Sequence, residues 1–380
     1  MPEALIPDRL FDGETLLQGR AVLVEGGRIH ALIPEDALDP SWPRRRLEGL
    51  LAPGFVDVQV NGGGGVMFND QPTPAGIAAI AAAHRRFGTT GFLATLISDT
   101  RARMAEAMAA VREGLARRLP GLLGIHVEGP FLNPARRGVH DPAMIRPLEP
   151  EDLRILTSLG AGRTLVTVAP ETVGPELIAR LAAAGVIVSA GHTAADSATV
   201  DEALAHGVTG FTHLFNAMPP LAGREPGPVG AALADRGSFC GIIVDLHHVS
   251  TASLKAALAA KGSERMMLVT DAMASVGTSM AELTFQGQRI LCAGGRLVTE
   301  KGVLAGSGLD MASAVRNTVR HLGVALEQAL AMASRVPARF LRLDGELGRI
   351  APGYRASLVL LDEDLTVRET WIDGVASDRG

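Results

Sequence analysis

The sequence predicts a (β/α)8 barrel, a TIM-like α/β fold, together with a small β-sandwich domain formed by both termini. Eight short apolar or β-branched runs alternate with Ala-rich helical stretches over about 250 residues, a pattern typical of such a barrel. Both ends of the chain instead show brief strands and turn residues without a helical period. The eight runs are Phe55–Val60, Gly91–Thr95, Leu123–Glu128, Leu165–Ala169, Val186–Ser189, Gly210–His213, Cys240–Val244 and Met267–Asp271.

The predicted domain boundaries follow this change in pattern. Residues 1–50 form the N-terminal part of the small β domain, residues 51–343 the barrel, and residues 344–380 the C-terminal part. In the first segment, AVLVEGGRIHAL predicts two strands joined by a turn at Gly26 and Gly27. A doubly wound open sheet is the alternative for the middle segment, but no GxGxxG motif follows its first strand.

Composition excludes several classes of protein. The chain has 380 residues, 47% of them hydrophobic, and a net charge of −5. It therefore has no excess of positive charge that would indicate a nucleic-acid partner. Its two cysteines, Cys240 and Cys292, rule out a disulfide framework and fit a reducing cytosol. The N-terminus lacks a basic segment followed by an apolar run, and no apolar run is long enough to cross a membrane. A cytoplasmic protein without nucleic-acid or membrane partners is expected.

Polar residues concentrate at the ends of the predicted strands. Active sites of (β/α)8 barrels lie at the C-terminal ends of their strands, and five of the ten histidines fall there. The opposite ends carry mostly Gly, Thr and Leu, so the asymmetry predicts a catalytic site. The strand-end residues are Gln59, Asn61, Thr95, His126, Glu128, His192, His213, Asp245, His247, His248 and Asp271.

Three of these residues suit a metal ion. One carboxylate, Glu128, and two imidazoles, His192 and His213, stand on separate strand ends and form a plausible ligand set for a divalent metal with an open position for water. Zinc suits this set, and so do iron and cobalt. Taken singly, each residue could instead be a buried polar side chain whose hydrogen bonds are satisfied and which binds no metal. Asp271 is a candidate general acid and base, and its alternative is the N-cap of a following helix.

Three further segments suggest substrate contacts. His140, in the loop NPARRGVHDP, could polarise a carbonyl and stabilise an oxyanion, or it could be an exposed loop residue. Arg224 lies in the Gly- and Pro-rich loop PPLAGREPGPVG, and DLHHV supplies two adjacent histidines. A guanidinium in such a loop suits a phosphate or carboxylate. The alternative for Arg224 is ordinary surface charge.

Several motifs together resemble the amidohydrolase superfamily and, within it, the N-acetylglucosamine-6-phosphate deacetylases. The motifs occur in that family's order over nearly the whole chain, and the closing GRIAPGYRASLVLLD resembles the superfamily's C-terminal strand segment. Ser357 departs from the pattern, since an aspartate is usual there. The motifs are PGFVDVQVNGGGG, HVEGPFLNPARRGVHDP, SAGHTAAD, THLFNAMPPLAGREPG, DLHHV and VTDAM.

The resemblance implies a role for each position at the strand ends. Glu128, His192 and His213 correspond to the ligands of one metal, Asp271 to the general acid/base, and His140 to the histidine that polarises the acetyl carbonyl. The implied reaction is metal-dependent deacetylation of N-acetylglucosamine 6-phosphate to glucosamine 6-phosphate and acetate, in amino-sugar catabolism and recycling. A metal-activated water attacks while the aspartate accepts its proton and later protonates the amine.

The resemblance also implies contacts with the sugar phosphate. Asn216 and Ala217, within FNAM, correspond to substrate contacts whose backbone can donate to phosphate, and His248 to a histidine that contacts the sugar phosphate. Its neighbour His247 makes the last assignment ambiguous. Arg224 corresponds to an arginine that reaches the substrate phosphate in the neighbouring subunit, which implies a homodimer.

The first strand distinguishes this chain from two-metal amidohydrolases. Those enzymes bind their first metal with an HxH motif at the end of strand one. In this chain the two histidine positions are occupied by Gln59 and Asn61. Amides coordinate transition metals poorly, so one metal per subunit is expected, and Gln59 is predicted to contact its water or the substrate. A dihydroorotase-like enzyme is an alternative, but HxH and a bridging lysine on strand four are both missing. A non-catalytic sugar-phosphate sensor is the other alternative.

Overall fold

Eight parallel strands form the centre of the protein, as the alternating pattern predicts. In the computed structural model, which describes residues 2–377, each barrel strand hydrogen-bonds to its neighbours in chain order. The first and eighth strands meet where the amide of Asp271 donates to the carbonyl of Gln59 (3.0 Å) and Val60 bridges Ala272. The strands are Phe55–Val60, Thr89–Ile97, Leu122–Glu128, Arg163–Val168, Ile187–Ala190, Val208–Phe211, Phe239–Ile242 and Met266–Leu268.

Helices connect the barrel strands and cover them. Thr73, Thr100 and Ser250 cap three of these helices, because each side-chain oxygen accepts a backbone N–H of the first turn. The α-helices are Pro74–Arg85, Arg101–Ala116, Pro150–Leu156, Pro170–Val173, Pro175–Ala183, Ser197–Ala205, Gly227–Ala234, Thr251–Lys261, Met311–Asn317, Leu326–Ala333 and Arg335–Phe340. Short 3-10 turns cover Glu35–Ala37, Pro134–Arg136 and Ser263–Arg265, and a π-helical turn covers Thr318–Leu322. Among residues 2–377, no helix is long and apolar enough to span a bilayer.

Both faces of the first barrel strand are buried. All residues from Phe55 to Val60 are buried, which is the usual situation for a parallel strand between helices and a barrel interior. Val56, Val58 and Val60 belong to the main hydrophobic core. The alternating polar side chains therefore lie in the barrel interior, and burial of this kind requires hydrogen-bond partners.

Residues from both chain ends form the small β domain. Strand Arg44–Pro53 pairs in parallel with Glu3–Phe11 and antiparallel with Leu358–Leu361, so it joins the two ends in one continuous sheet. Leu51 and Trp371 are buried in the core of this domain. Its boundaries remain a prediction, and the joining strand runs to Pro53. The eight strands are Glu3–Phe11, Leu16–Leu17, Arg20–Glu25, Arg28–Pro34, Arg44–Pro53, Leu358–Leu361, Val367–Ile372 and Val375–Ala376.

A four-stranded antiparallel sheet follows the eighth barrel strand, where the sequence suggested no such element. We call residues 282–307 the antiparallel insert. Its buried side chains, including Phe285 and Ile290, pack with Ile97 at the end of the second barrel strand. The insert therefore covers part of the barrel's C-terminal end. Its strands are Glu282–Phe285, Gln288–Ala293, Arg296–Thr299 and Leu304–Ser307, and a two-stranded ribbon, Gly62–Gly63 with Val66–Met67, lies after the first barrel strand.

Candidate active site

The predicted catalytic residues lie just beyond the strand ends. The sixth strand ends at Phe211 and the eighth at Leu268, so both are shorter than the predicted runs, which extended to His213 and Asp271. These two residues have φ angles of 32° and 52°, and that of His192 is 48°. Positive φ is uncommon for residues other than glycine and often marks functional positions. Here the backbone leaves the parallel ladder at the points where the polar side chains begin.

Glu128, His192 and His213 converge on one point. Oε1 of Glu128 lies 3.3 Å from Nε2 of His192 and 3.0 Å from Nε2 of His213. The two Nε2 atoms are 2.9 Å apart, and all three side chains are nearly fully buried. Two imidazole nitrogens and a carboxylate oxygen directed at one another are a donor set that suits a divalent cation.

The surroundings of these three residues also suit a cation. Nδ1 of His192 lies 2.8 Å from the backbone carbonyl of Arg136, a contact that places the proton on Nδ1 and leaves Nε2 free to bind a metal. Burial alone would raise the pKa of Glu128, but the adjacent imidazoles of His192 and His213 lower that pKa well below its usual range. The carboxylate is therefore ionised, as metal binding requires.

His140 lies beside the same cluster and is not an exposed loop residue. Its side chain is buried, and its ring lies 4.5 Å from that of His192, centroid to centroid. Ligand atoms of Glu128, His140 and His192 fall within 4.8 Å of one another. The geometry thus offers two overlapping ligand sets, one with His213 and one with His140. In the His213 set no two ligand atoms are more than 3.3 Å apart, and this set remains the predicted one.

A hydrogen-bonded group links the first strand to Asp271. Nε2 of Gln59 donates to Oε1 of Glu128 (3.0 Å) and to Oδ1 of Asp271 (3.1 Å). Nδ2 of Asn61 donates to the same Asp271 oxygen (2.7 Å). The two amides at the HxH positions therefore act as hydrogen-bond donors to carboxylates.

Asp271 has the properties of a proton-transfer group. Burial, followed by the charge of Glu128, raises the pKa of Asp271 to about 6. A carboxyl group with a pKa near neutrality can both accept and return a proton at physiological pH. The alternative role as a helix N-cap does not apply, because strand Glu282–Phe285 is the next regular element after Asp271 in the described chain.

Three polar side chains support the site from inside the barrel. Asp57, fully buried, accepts a 2.5 Å hydrogen bond from Oγ1 of Thr270, the residue before Asp271, and burial raises the pKa of Asp57 to about 7. Nε2 of His126 lies 2.7 Å from Oγ1 of Thr167, and burial lowers the pKa of His126 to about 4, so this histidine is neutral. Thr95 accepts from the amide of Val60. His126 and Thr95 therefore brace neighbouring strands below the site.

A cleft of about 290 Å³ opens above these residues. Sequence reasoning missed part of its wall, because three lining residues belong to the antiparallel insert and others have apolar side chains without a chemical signature. The full lining is Asn61, Ile97, Glu128, Ala135, Arg136, Gly138, Val139, His140, His192, His213, Asn216, Ala217, His248, Asp271, Met273, Val303, Leu304 and Gly306.

The predicted substrate contacts divide into two groups. Asn216, Ala217 and His248 line the cleft, and Nδ1 of His248 lies 2.6 Å from Oδ2 of Asp245. His247 is exposed, and its Nε2 lies 3.3 Å from the carbonyl of Gly294. The structure thus brings His248, rather than its neighbour, to the cleft.

Two predicted contacts do not line the cleft of the same chain. Arg224 is exposed in the loop before helix Gly227–Ala234 and is not among the described residues that line the cleft. Gln59 is buried beneath the cleft, and both of its recorded side-chain partners are the carboxylates of Glu128 and Asp271. Their predicted roles in substrate binding remain predictions.

Comparisons with known proteins agree with this architecture. The Amidohydrolase family pattern matches residues 50–376. An N-acetylgalactosamine-6-phosphate deacetylase of Shewanella sp. (strain ANA-3) is 46% identical over 93% of this chain and 90% of its own length. An N-acetylglucosamine-6-phosphate deacetylase of Haemophilus influenzae is 34% identical over 98% of this chain and 99% of its own.

Solved structures extend the similarity to the whole fold. The crystal structure of N-acetylglucosamine-6-phosphate deacetylase from Pasteurella multocida superposes with a TM-score of 0.96 at 31% identity, covering 99% of this chain and 100% of the other. A mutant of N-acetyl-D-glucosamine-6-phosphate deacetylase from Mycobacterium smegmatis, solved in complex with N-acetyl-D-glucosamine-6-phosphate, gives a TM-score of 0.92 at 33% identity, covering 99% of each chain. Barrel and small domain are thus arranged as in these proteins.

Proposed function

This chain belongs to the amidohydrolase family, and on that premise we propose that it hydrolyses N-acetylglucosamine 6-phosphate to glucosamine 6-phosphate and acetate. The most direct support is the convergence of Glu128, His192 and His213 beside Asp271 at the C-terminal end of the barrel. The names of the relatives supply the substrate class, an N-acetylated amino-sugar phosphate. The proposed role is in amino-sugar catabolism and recycling.

One divalent cation per subunit is part of the proposal. Glu128, His192 and His213 would hold it, with zinc preferred and iron or cobalt also suited to these ligands. When bound there, such an ion lowers the pKa of water and polarises the amide carbonyl. Gln59 and Asn61 direct their N–H groups at carboxylates, so they leave the usual place of a second ion without ligands.

The side chains around the cation have distinct tasks. Asp271 accepts the proton of the attacking water and returns it to the departing amine, for which its pKa of about 6 is suitable. Gln59 and Asn61 hold one oxygen of this carboxylate and leave the other for proton transfer. His140 donates a hydrogen bond to the acetyl oxygen as negative charge develops on it.

Acetate release from N-acetylglucosamine 6-phosphate tests the proposal. We expect the purified, metal-loaded enzyme to release one acetate per substrate, and chelator treatment to stop the reaction until metal is returned. Metal analysis on the same preparation should give one ion per chain. A fully loaded protein that releases no acetate from N-acetylglucosamine 6-phosphate or from N-acetylgalactosamine 6-phosphate would exclude the deacetylase and favour a sugar-phosphate sensor.

N-acetylgalactosamine 6-phosphate is a second candidate substrate. Two relatives are named N-acetylgalactosamine-6-phosphate deacetylase: the Shewanella protein is 46% identical to this chain, and the Escherichia coli O157:H7 protein is 35% identical. The Haemophilus relative, named for N-acetylglucosamine 6-phosphate, is 34% identical. The two sugars differ in the configuration of one hydroxyl group. Measuring kcat/KM for both sugars on one preparation decides which is preferred.

We further propose that the protein is a homodimer in which Arg224 serves the neighbouring site. Arg224 is exposed and does not line the cleft of its own chain, and it lies in a loop that also exposes Leu221 (55%). An arginine suits phosphate because its planar fork can make two hydrogen bonds at once. In the proposed dimer, Arg224 of one subunit contacts the phosphate of the substrate bound in the cleft of the other.

Subunit mixing tests this arrangement. Arg224→Ala is expected to raise KM by about tenfold or more, since a charge-assisted contact contributes about 1.5–3 kcal/mol. Mixing Arg224→Ala with Asp271→Asn subunits then forms hybrid dimers in which one site has both native residues. Activity at low substrate concentration should rise well above that of either parent. A mixture no more active than its parents, despite verified hybrid dimers, would place Arg224 in its own subunit's site or outside any site.

A cytoplasmic location is also proposed. Cys240 and Cys292 are both free thiols, and proteins with few unpaired cysteines are common in reducing compartments. Fractionation of cells that express the full chain tests this proposal. The protein should be recovered in the same fraction as cytoplasmic marker proteins.

A further inference from the structure

A glutamine at the tip of the antiparallel insert connects two segments of the active-site wall. Gln286 lies in the turn between strands Glu282–Phe285 and Gln288–Ala293. Its Nε2 donates to the carbonyl of Ser98 (2.9 Å), and its Oε1 accepts from the amide of Asp141 (3.1 Å). Ser98 follows the second barrel strand and Asp141 follows His140. One side chain thus links the insert to both segments.

Ser98 in turn contacts His140. Its Oγ lies 2.7 Å from Nδ1 of His140 and 3.4 Å from the carbonyl of Glu128. The hydroxyl has a single proton, so it donates either to Nδ1 or to the Glu128 carbonyl. The role proposed for His140, as donor to the acetyl oxygen, requires donation to Nδ1. A neutral imidazole that accepts at Nδ1 carries its proton on Nε2. His140 would then present an N–H group to the cleft that it lines.

Packing holds the tip of the insert in this position. Phe285, next to Gln286, is buried in a cluster with Ile97, next to Ser98, and Val139, next to His140, packs against that cluster. The backbone at Gln286 has a φ of 47°, a conformation that glycine or asparagine would adopt at lower cost. The two hydrogen bonds of its side chain offset that cost and give a reason for glutamine at this position.

We propose that Ser98 and Gln286 are positioning residues that orient His140: Ser98 sets its protonated nitrogen, and Gln286 fixes the two segments that meet at the ring. The inference rests on the proposed function, in which His140 donates to the acetyl oxygen. It assigns the antiparallel insert a part in catalysis, through contacts that lie outside the cleft. Neither residue touches the substrate in this scheme.

Kinetics of matched variants test the proposal. Ser98→Ala and Gln286→Ala are each expected to lower kcat about tenfold to a hundredfold, the effect of a small misplacement of a catalytic group, with KM and metal content unchanged. Gln288→Ala is the matched control, because Gln288 is exposed two residues further along the same hairpin, and its kcat should equal that of wild type. Ser98→Thr keeps the hydroxyl and should restore most of the rate.

A double-mutant cycle shows whether the effect passes through His140. In a His140→Gln background, adding Ser98→Ala or Gln286→Ala should cause no further loss of kcat, because residues that act through a shared partner are not additive. Full additivity of the losses would overturn the proposal. So would a loss of metal in the Ser98 or Gln286 variants, since it would indicate a structural role at the ligands.

A measurement independent of turnover separates this inference from the proposed function. ¹⁵N spectra of histidine-labelled protein report which ring nitrogen bears the proton, and the His140 signal is identified by its loss in His140→Gln. Wild type should show protonated Nε2, and Ser98→Ala a mixture of tautomers. Protonated Nδ1 in wild type would refute the role of Ser98, even if acetate release is confirmed. Protonated Nε2 in a protein without deacetylase activity would refute the proposed function alone.

Discussion

Replacing Asp271 with asparagine is expected to lower kcat for acetate release by a factor of about 10²–10⁴ or more. A single group that both removes and returns a proton typically contributes that much to a reaction, and asparagine can do neither. Asparagine retains a side-chain oxygen that can accept from Gln59 and Asn61, which now donate to Oδ1 of Asp271. The fold and the metal content should therefore be unchanged. Initial rates and metal analysis on one preparation provide the measurement.

An exposed aspartate gives the matched control for this substitution. Asp201 lies on the surface of helix Ser197–Ala205, and Asp201→Asn should leave rate and metal content at wild-type values. Substantial activity in Asp271→Asn would contradict the role of general acid and base. Loss of metal in the same variant would instead place Asp271 among the ligands.

Replacing Glu128 with glutamine is expected to remove metal and activity together. Glu128 is the one carboxylate in both possible ligand sets, and its Oε1 is the atom that His192 and His213 face. The amide of glutamine coordinates transition metals poorly. Loss of a residue that only hydrogen-bonds to a metal ligand typically lowers metal affinity about 10- to 100-fold. Loss of the ligand Glu128 itself should lower the affinity further. Competition with a metal-binding dye measures the change.

Two comparisons make this result specific. Glu176→Gln, at an exposed position of helix Pro175–Ala183, should retain full metal content. His140→Gln should also retain it if His213 completes the ligand set, whereas loss of the ion would show that His140 is a ligand. Glu128→Gln protein with normal affinity for the metal would refute the proposed centre altogether.

The general location of the site could be predicted from local patterns. Alternating apolar runs and helices indicated a barrel, and the barrel in turn indicated that chemistry should occur at the ends of its strands. This reasoning predicts Glu128, His192, His213 and Asp271 as site residues. Their residue types then limited the chemistry to a metal-assisted reaction. Each step needed only periodicities of a few residues and the known geometry of the fold class.

The antiparallel insert shows where such reasoning fails. Its strands Gln288–Ala293 and Arg296–Thr299 are short and largely exposed on one face, so they give a weak hydrophobic signal. Nothing in the local sequence indicates that this sheet packs on Ile97 and Val139. Its contribution to the cleft depends on contacts between segments far apart in the chain.

The sequence alone was sufficient to indicate the fold class, and it predicts the end of the barrel that holds the site and the residues that bind a metal. Only the tertiary structure revealed the partners of those residues, because hydrogen bonds such as Gln59–Asp271 join positions 212 residues apart and exist only once the barrel closes. Gln59 and Asn61, which replace an HxH motif in the sequence, prove in the structure to be donors to carboxylates. Residue type follows from the sequence, whereas hydrogen-bond partners follow from the packing of distant strands.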